Sequence, residues 1–147
     1  MKKTALIAIT LLIAPLSSYA AAPPAKAVAI LESAFSCTQL ASNFEPAQAL
    51  LASAGWDISQ GAKPVTLPFA LKVFGLPAQK VVVLRDSGEQ LYRAYFPGVS
   101  QQSLIKAAKL KLGRDGQEYG RATKLGVLTA GTEDGVSTLS CTIDTEG

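Results

Sequence analysis

The chain has 147 residues, a formal net charge of +3 and no histidine, and 48% of its residues are hydrophobic. This length and apolar content suit one compact domain with its own core. The missing histidine excludes catalysis by an imidazole base. The near-neutral charge, without a long basic run, disfavours nucleic-acid binding.

The N-terminus has the layout of a secretory signal peptide. Two lysines precede an apolar run at residues 5–16, and Ser18 and Ala20 occupy the −3 and −1 positions of a cleavage site. The run is shorter than the ~20 residues that span a bilayer, which disfavours a stable membrane span. We expect residues 1–20 to be removed on export to a bacterial periplasm or, alternatively, on full secretion. Loss of the two lysines lowers the net charge from +3 to +1.

The rest of the chain is predicted to form a single domain at 27–147. A leader at 21–26 precedes it. This leader is predicted to be extended, because its paired prolines cannot enter a helix interior. A first helix follows, because Val28, Leu31 and Phe35 fall on one helical stripe.

A second helix is predicted in "FEPAQALLASAG". Pro46 suits the first helical position, Phe44 can pack back over the first turn, and Gly55 suits the C-terminal stop. Trp56 follows that stop.

The period of the apolar residues then changes from helical to two, which is typical of a half-buried strand. The alternating apolar residues are Val65, Leu67, Phe69, Leu71 and Val73. Pro68 within this run predicts that the strand lies at the edge of its sheet. The next segment, "QKVVVLRDSGEQLYRAYF", is predicted to form a hairpin that turns at Asp86-Ser87-Gly88.

A third helix is predicted from a Ser100 cap through "QQSLIKAAKLKL" to a stop at Gly113. Its apolar face comprises Leu104, Ile105, Ala108 and Leu112. A final hairpin, "YGRATKLGVLTAGTEDGVSTLSCTID", turns at Glu133-Asp134-Gly135. The predicted order is α-α-β-β-β-α-β-β. The fold class is therefore α+β, with an antiparallel sheet of about five strands covered by helices.

The two cysteines, Cys37 and Cys141, are predicted to form one disulfide. Alternation in the last strand points Cys141 to the core beside Leu139 and Ile143, and Cys37 borders the apolar stripe of the first helix. An even cysteine count in an exported chain favours pairing. The alternative is two independent buried thiols. Two cysteines without histidine supply too few ligands for a usual metal site, so we expect no metal and no cofactor.

Two catalytic patterns can be weighed, and neither predicts an enzyme. Ser103 and Lys106 match the S-x-x-K spacing of serine β-lactamases, but the K-T-G and S-D-N partner motifs are missing. Pairs of carboxylates flank turns, where acidic side chains are usually solvated. These pairs are Asp86 with Glu89, Asp115 with Glu118, and Glu133 with Asp134.

The surface offers two candidate binding regions. Lys106, Lys109 and Lys111 give the third helix a basic side. The alternative is that these lysines have no binding role, because lysines near a helix C-terminus interact favourably with the helix dipole. The strand after the Asp86-Ser87-Gly88 turn has Leu91, Arg93 and Tyr95 on one face and Tyr92, Ala94 and Phe96 on the other. Tyrosine, phenylalanine and arginine together favour protein docking. The predicted contact residues are Tyr92, Arg93, Tyr95 and Phe96, with Trp56 second.

These features predict a non-enzymatic, exported protein-binding module. The layout resembles that of periplasmic hydrolase inhibitors and effector-immunity proteins. The resemblance implies an envelope or secreted protein partner, and inhibition or neutralisation of an envelope-acting enzyme. The alternatives are a periplasmic carrier of a small molecule or lipid, and an accessory subunit of an envelope assembly.

Overall fold

The computed structural model describes residues 22–146, and the predicted signal peptide at 1–20 lies outside this range. Three α-helices are present in the described range: α1 (Ala25–Phe35), α2 (Glu45–Ser53) and α3 (Gln101–Ala107). A short 3-10 helix spans Ile58–Gln60. The strands are β1 (Val65–Val73), β2 (Leu76–Arg85), β3 (Glu89–Phe96), β4 (Lys111–Leu112), β5 (Tyr119–Ala122), β6 (Val127–Glu133) and β7 (Val136–Asp144). α1 begins within the predicted leader, directly after Pro24, which occupies its N-cap.

The seven strands form one antiparallel sheet in the order β1-β2-β3-β7-β6-β5-β4. This confirms the predicted α+β class, with two strands more than expected. The additional strands are β4 and β5. β5 lies in the segment assigned to the final hairpin, and β4 lies in the segment assigned to the third helix.

Pro68 lies on an edge strand, as its missing N–H predicts. The register between β1 and β2 shifts between Thr66, which pairs with Lys80, and Leu71, which pairs with Ala78. Pro68 falls within this interruption, so it removes no bond from the ladder.

The core lies between one face of the sheet and the helices. α1 packs against β1, β3 and β7, and α3 packs against β6 and β7. Tyr92 of β3 is fully buried, and its ring makes edge contacts with Phe35 and Phe44 at centroid distances of 5.8 and 6.0 Å. The aromatic residues therefore join both N-terminal helical segments to the middle of the sheet.

All three α-helices end in the same way, with a left-handed residue just beyond the C-cap. These residues are Cys37, Gly55 and Lys109, with φ of 57°, 94° and 54°. The following N–H in each case donates to a carbonyl five residues back, which satisfies helix carbonyls that lack partners. The predicted stop at Gly55 is confirmed by this geometry.

The predicted end of the third helix at Gly113 is wrong, because α3 ends at Ala107. The left-handed turn at Lys109 directs Leu110 into the core, where it is 7% exposed. The chain then extends as β4, so Leu112 is 50% exposed and contributes no helical apolar face.

The Cys37–Cys141 disulfide is present, with a Cα–Cα distance of 5.3 Å across a sequence separation of 104. It joins the end of α1 to the middle of β7, and both cysteines are fully buried. A disulfide is compatible with an oxidising compartment outside the cytoplasm. Within residues 22–146, none of the helices has the length and apolar content needed to cross a membrane.

Candidate docking face of the sheet

The two faces of β3 have different surroundings. Tyr92, Ala94 and Phe96 face the helices and belong to the core. Arg93 and Tyr95 lie on the opposite face, which we call the helix-free face because α1, α2 and α3 all pack on the other side. The predicted division of β3 into two faces is therefore observed.

Three of the predicted contact residues are buried on the core side, which corrects the proposed contact set. Tyr92 and Phe96 are 0% exposed and Trp56 is 6% exposed. The indole Nε1–H of Trp56 donates to the carbonyl of Val83 at 2.9 Å, so its polar group is satisfied inside the protein. A partner has no access to these side chains in the folded domain.

Arg93 is held on the helix-free face by two hydrogen bonds. Its Nε donates to the Ser140 hydroxyl at 2.9 Å, and its Nη1 lies 3.3 Å from a carboxylate oxygen of Glu133. The side chains of Arg93 and Glu133 remain 34% and 45% exposed. A partly exposed ion pair contributes little to stability, so its main effect is to fix the position of both charges.

Tyr95 is only 3% exposed and lies under this ion pair, where it contacts Glu133. Its hydroxyl donates to the same Glu133 oxygen at 2.9 Å. The Lys80 ammonium lies 4.6 Å from the centre of the Tyr95 ring, which is a cation–π distance. Tyr95 therefore positions Glu133 and Lys80, and Arg93 is the predicted contact residue that reaches the surface.

The surroundings of Tyr95 also change its acidity. Burial raises the pKa of the Tyr95 phenol above its ordinary value, and the hydrogen bond to Glu133 raises it further, while Arg93 has the opposite effect. Burial likewise raises the pKa of Tyr92. The folded state therefore favours the protonated form of both phenols.

We expect alkaline pH to destabilise the domain through these two tyrosines. Because their pKa values are raised on folding, their contribution is fully present below the unfolded value of about 10 and is lost as pH rises through the folded values. The Glu133→Gln variant should lower the pKa of Tyr95, measured from phenolate absorbance in an alkaline titration. Glu45→Gln on α2 serves as the control, and an unchanged titration in Glu133→Gln would contradict the assigned contact.

Strand register places the helix-free residues in transverse rows across the sheet. The outermost row has Glu89 opposite Asp144. The second row comprises Leu84, Leu91, Thr142, Val127 and Ala122. The third row comprises Val82, Arg93, Ser140, Thr129 and Gly120. The fourth row comprises Lys80, Tyr95, Thr138 and Gly131. Along the strands the face thus passes from acidic, through apolar, to an end where basic Arg93 and Lys80 lie with acidic Glu133, over about 20 Å at two residues per row.

Most of this surface was not predicted from the sequence. Lys80, Leu91 and Ser140 were not identified as site residues, and Glu133 was considered only as a turn carboxylate. The available signal was the alternation of β7, which places Ser140 on the face opposite Cys141. Pairing β7 with β3 was needed to bring Ser140 beside Arg93.

The other sequence candidates have ordinary structural roles. The amide of Ser103 donates to the Ser100 hydroxyl at 3.1 Å, and the two hydroxyls are 2.9 Å apart, so both belong to the cap of α3. Lys106, Lys109 and Lys111 lie respectively on α3, at the left-handed turn and on β4. The prediction that they share one side of the third helix is wrong.

Two of the predicted turn carboxylates accept hydrogen bonds from backbone amides of their own turns. Asp86 accepts from the amide of Ser87 at 2.6 Å, and Asp115 accepts from the amide of Gln117 at 3.2 Å. The described part of the chain contains no group of three or more acidic, cysteine or histidine residues arranged to hold a metal ion. Comparison of the chain with protein-family models, curated proteins and solved structures gave no match.

Proposed function

We propose that this protein is a non-enzymatic protein-binding module that works outside the cytoplasm and docks its partner on the helix-free face. The observation that carries the proposal is the Arg93–Glu133 ion pair, partly exposed and fixed from beneath by Ser140 and Tyr95. Arginine is enriched among the residues that dominate binding energy at protein interfaces.

Preorganisation supports docking on this face. Ordering a long side chain on binding costs about 0.5–1.5 kcal/mol. Arg93 already has a defined position in the unbound protein, because Nε and Nη1 both have partners. Much of this ordering cost is therefore met by folding.

The order of the rows supports a proposal for the chemistry of the partner surface. A complementary protein surface places basic groups against Glu89 and Asp144, an apolar strip against Leu91 and its row, and acidic groups against Lys80. Leu91 is half-buried, Val127 is 49% exposed, and the three charged residues are exposed. Like charges directly opposite each other, as at Glu89 and Asp144, disfavour folding, and basic groups on a partner would relieve this repulsion.

Within docking, we propose that the partner is an envelope-acting enzyme that the protein inhibits or neutralises. An inhibitor needs a rigid surface and no chemistry of its own. The disulfide between the end of α1 and β7 supports such rigidity, because Cys141 is the neighbour in β7 of Ser140, whose side chain points to the opposite, helix-free face.

We expect Arg93→Ala to weaken partner binding at least about tenfold, because truncation of an interface hot spot costs about 2 kcal/mol or more and about 1.4 kcal/mol is a factor of ten in affinity. The partner is first captured by crosslinking from envelope extract, then purified, and its affinity for each variant is measured by calorimetry. Lys63→Ala, an exposed lysine in the loop before β1, is the control.

Capture alone does not support the proposal. Support requires crosslinks on β3, β6 or β7 and a loss of affinity specific to Arg93→Ala. A purified partner that binds Arg93→Ala and the wild-type protein equally would refute the docking face. If native mass spectra show only a bound small molecule and no protein partner binds, the proposed function is wrong.

A further inference from the structure

The positive charge of the domain is concentrated at one corner. Between residues 106 and 124 the chain has six basic and two acidic side chains, a net +4, whereas the remainder of 22–146 has six basic and nine acidic, a net −3. This segment contains the end of α3 and strands β4 and β5. The corner therefore attracts anions although the whole domain is almost neutral.

A depression of about 490 Å³ lies at this corner, between the end of α1 and the β5–β6 turn. It is lined by Cys37, Thr38, Arg121, Ala122, Thr123 and Lys124. The disulfide fixes one wall through Cys37. The Thr123 hydroxyl fixes the other, accepting from the amides of Leu125 and Gly126 at 3.1 and 3.0 Å.

Arg121 is one of the two cations that line the depression. Its side chain is half-buried, and its Nε donates to the carbonyl of Ala108 at 2.8 Å. The guanidinium carbon lies 5.8 Å from the centre of the Phe74 ring. These two contacts hold the guanidinium in place and leave its two terminal nitrogens unused by residues 22–146.

The charge of Arg121 has no counter-ion within the described range, where the ion pair found is Arg93 with Glu133. A partly buried charge without a partner is unfavourable, so this arrangement points to an anion supplied from outside the chain. The terminal nitrogens of a guanidinium form a fork that binds two oxygens of a phosphate or carboxylate.

Lys124 adds a second positive charge to the same depression and is exposed. Two cations match a phosphate monoester, which has a charge of about −1.5 to −2 at neutral pH, better than a singly charged carboxylate. The hydroxyls of Thr38 and Thr123 donate to the carbonyls of Ser33 and Gly126 within the protein, so the two cations provide the donors.

We propose that this depression binds a phosphate monoester, with Arg121 gripping two phosphate oxygens and Lys124 neutralising the remaining charge. Its volume falls in the range of small-molecule sites, about 300–1,000 Å³, and leaves room for the group that bears the phosphate. That group is either a soluble phosphorylated molecule or a lipid headgroup. Arg121 lies on the side of the sheet opposite Arg93, so the proposed phosphate contact is separate from the Arg93–Glu133 ion pair, although Ala122 borders both regions.

The test uses isotope-labelled protein purified from the periplasm after expression of the full chain. Glycerol 3-phosphate, acetate and chloride are titrated at constant ionic strength while amide and arginine Nε–H resonances are recorded. We expect saturable shifts at residues 37–39 and 121–124, with an affinity for glycerol 3-phosphate at least tenfold above that for acetate. A second arm measures binding to phosphatidic acid vesicles against phosphatidylcholine vesicles.

Two variants separate binding from folding. Arg121→Gln should weaken phosphate binding at least tenfold. Lys124→Gln changes an exposed side chain and should weaken binding several-fold without affecting the fold. Arg114→Gln, an exposed arginine at the same basic corner, is the control and should bind as the wild-type protein does.

The outcomes distinguish a soluble ligand, a lipid headgroup and the absence of a phosphate site. Binding of glycerol 3-phosphate assigns a soluble ligand, and binding confined to phosphatidic acid vesicles and weakened in Arg121→Gln and Lys124→Gln assigns a lipid headgroup. Shifts that follow chloride equally, or that are as large in Lys124→Gln and Arg121→Gln as in the wild-type protein, would overturn the site. Because none of these measurements uses a protein partner, failure here leaves the docking proposal unaffected.

Discussion

Reduction of the Cys37–Cys141 disulfide is expected to lower the free energy of unfolding by up to about 4–5 kcal/mol. The bond closes a loop with a sequence separation of 104, and in the chain-entropy model a loop of about 100 residues gives a value of this size. Denaturant unfolding with and without a reductant measures the difference. The reduced unfolded chain is less compact, so the dependence of the unfolding free energy on denaturant should also become steeper.

The double variant Cys37→Ala with Cys141→Ala is the control for this experiment. It should unfold at a lower denaturant concentration than the oxidised protein and should not respond to reductant. Equal unfolding midpoints for oxidised and reduced wild-type protein would show that the bond contributes nothing to stability.

The parts of the fold that were predicted correctly depend on local patterns. Alternation in the last strand placed Cys141 in the core, because successive side chains of a strand point to opposite faces. Pro68 indicated an edge strand for an equally local reason, since proline cannot donate to a ladder. Gly55 ended α2 in the left-handed conformation that glycine readily adopts.

The end of α3 was predicted wrongly because two local patterns compete there. "AAKLKL" has helix-forming residues, but its last four residues also alternate as a strand does. Burial of Leu110 in the core and pairing of Lys111 with Gly120 decide between them. Both are tertiary interactions, which regularly override a weak helical preference.

The candidate site was only partly predictable, because the sequence divides β3 into two faces without showing which one the helices cover. The register supplies that information. Tyr92 pairs with Cys141, which is bonded to the end of α1, so the Tyr92 face is the helix side. Knowledge of this pairing would have moved Tyr92 and Phe96 from the contact set to the core.

Replacement of Tyr92 by alanine is expected to lower the free energy of unfolding by about 3–5 kcal/mol, as for other large aromatic residues truncated in a core. Tyr92 is fully buried, and its ring contacts Phe35 at the end of α1 and Phe44 at the start of α2, so truncation opens a cavity where the helices meet the sheet. Chemical denaturation measures the change. Tyr92→Phe keeps the ring and removes the hydroxyl that donates to Gln90 at 2.9 Å, so it should cost only about 1 kcal/mol.

Together the two Tyr92 variants distinguish a core residue from a docking residue. If Tyr92 acts only in the core, Tyr92→Phe binds the partner with wild-type affinity, and Tyr92→Ala loses binding only in proportion to its unfolded fraction. Arg93→Ala should show the reverse pattern, a nearly unchanged stability and a weakened affinity, because a partly exposed ion pair contributes at most about 1 kcal/mol to folding. A Tyr92→Ala protein that is as stable as the wild type would contradict the core position of this ring. It would return Tyr92 to the set of contact residues.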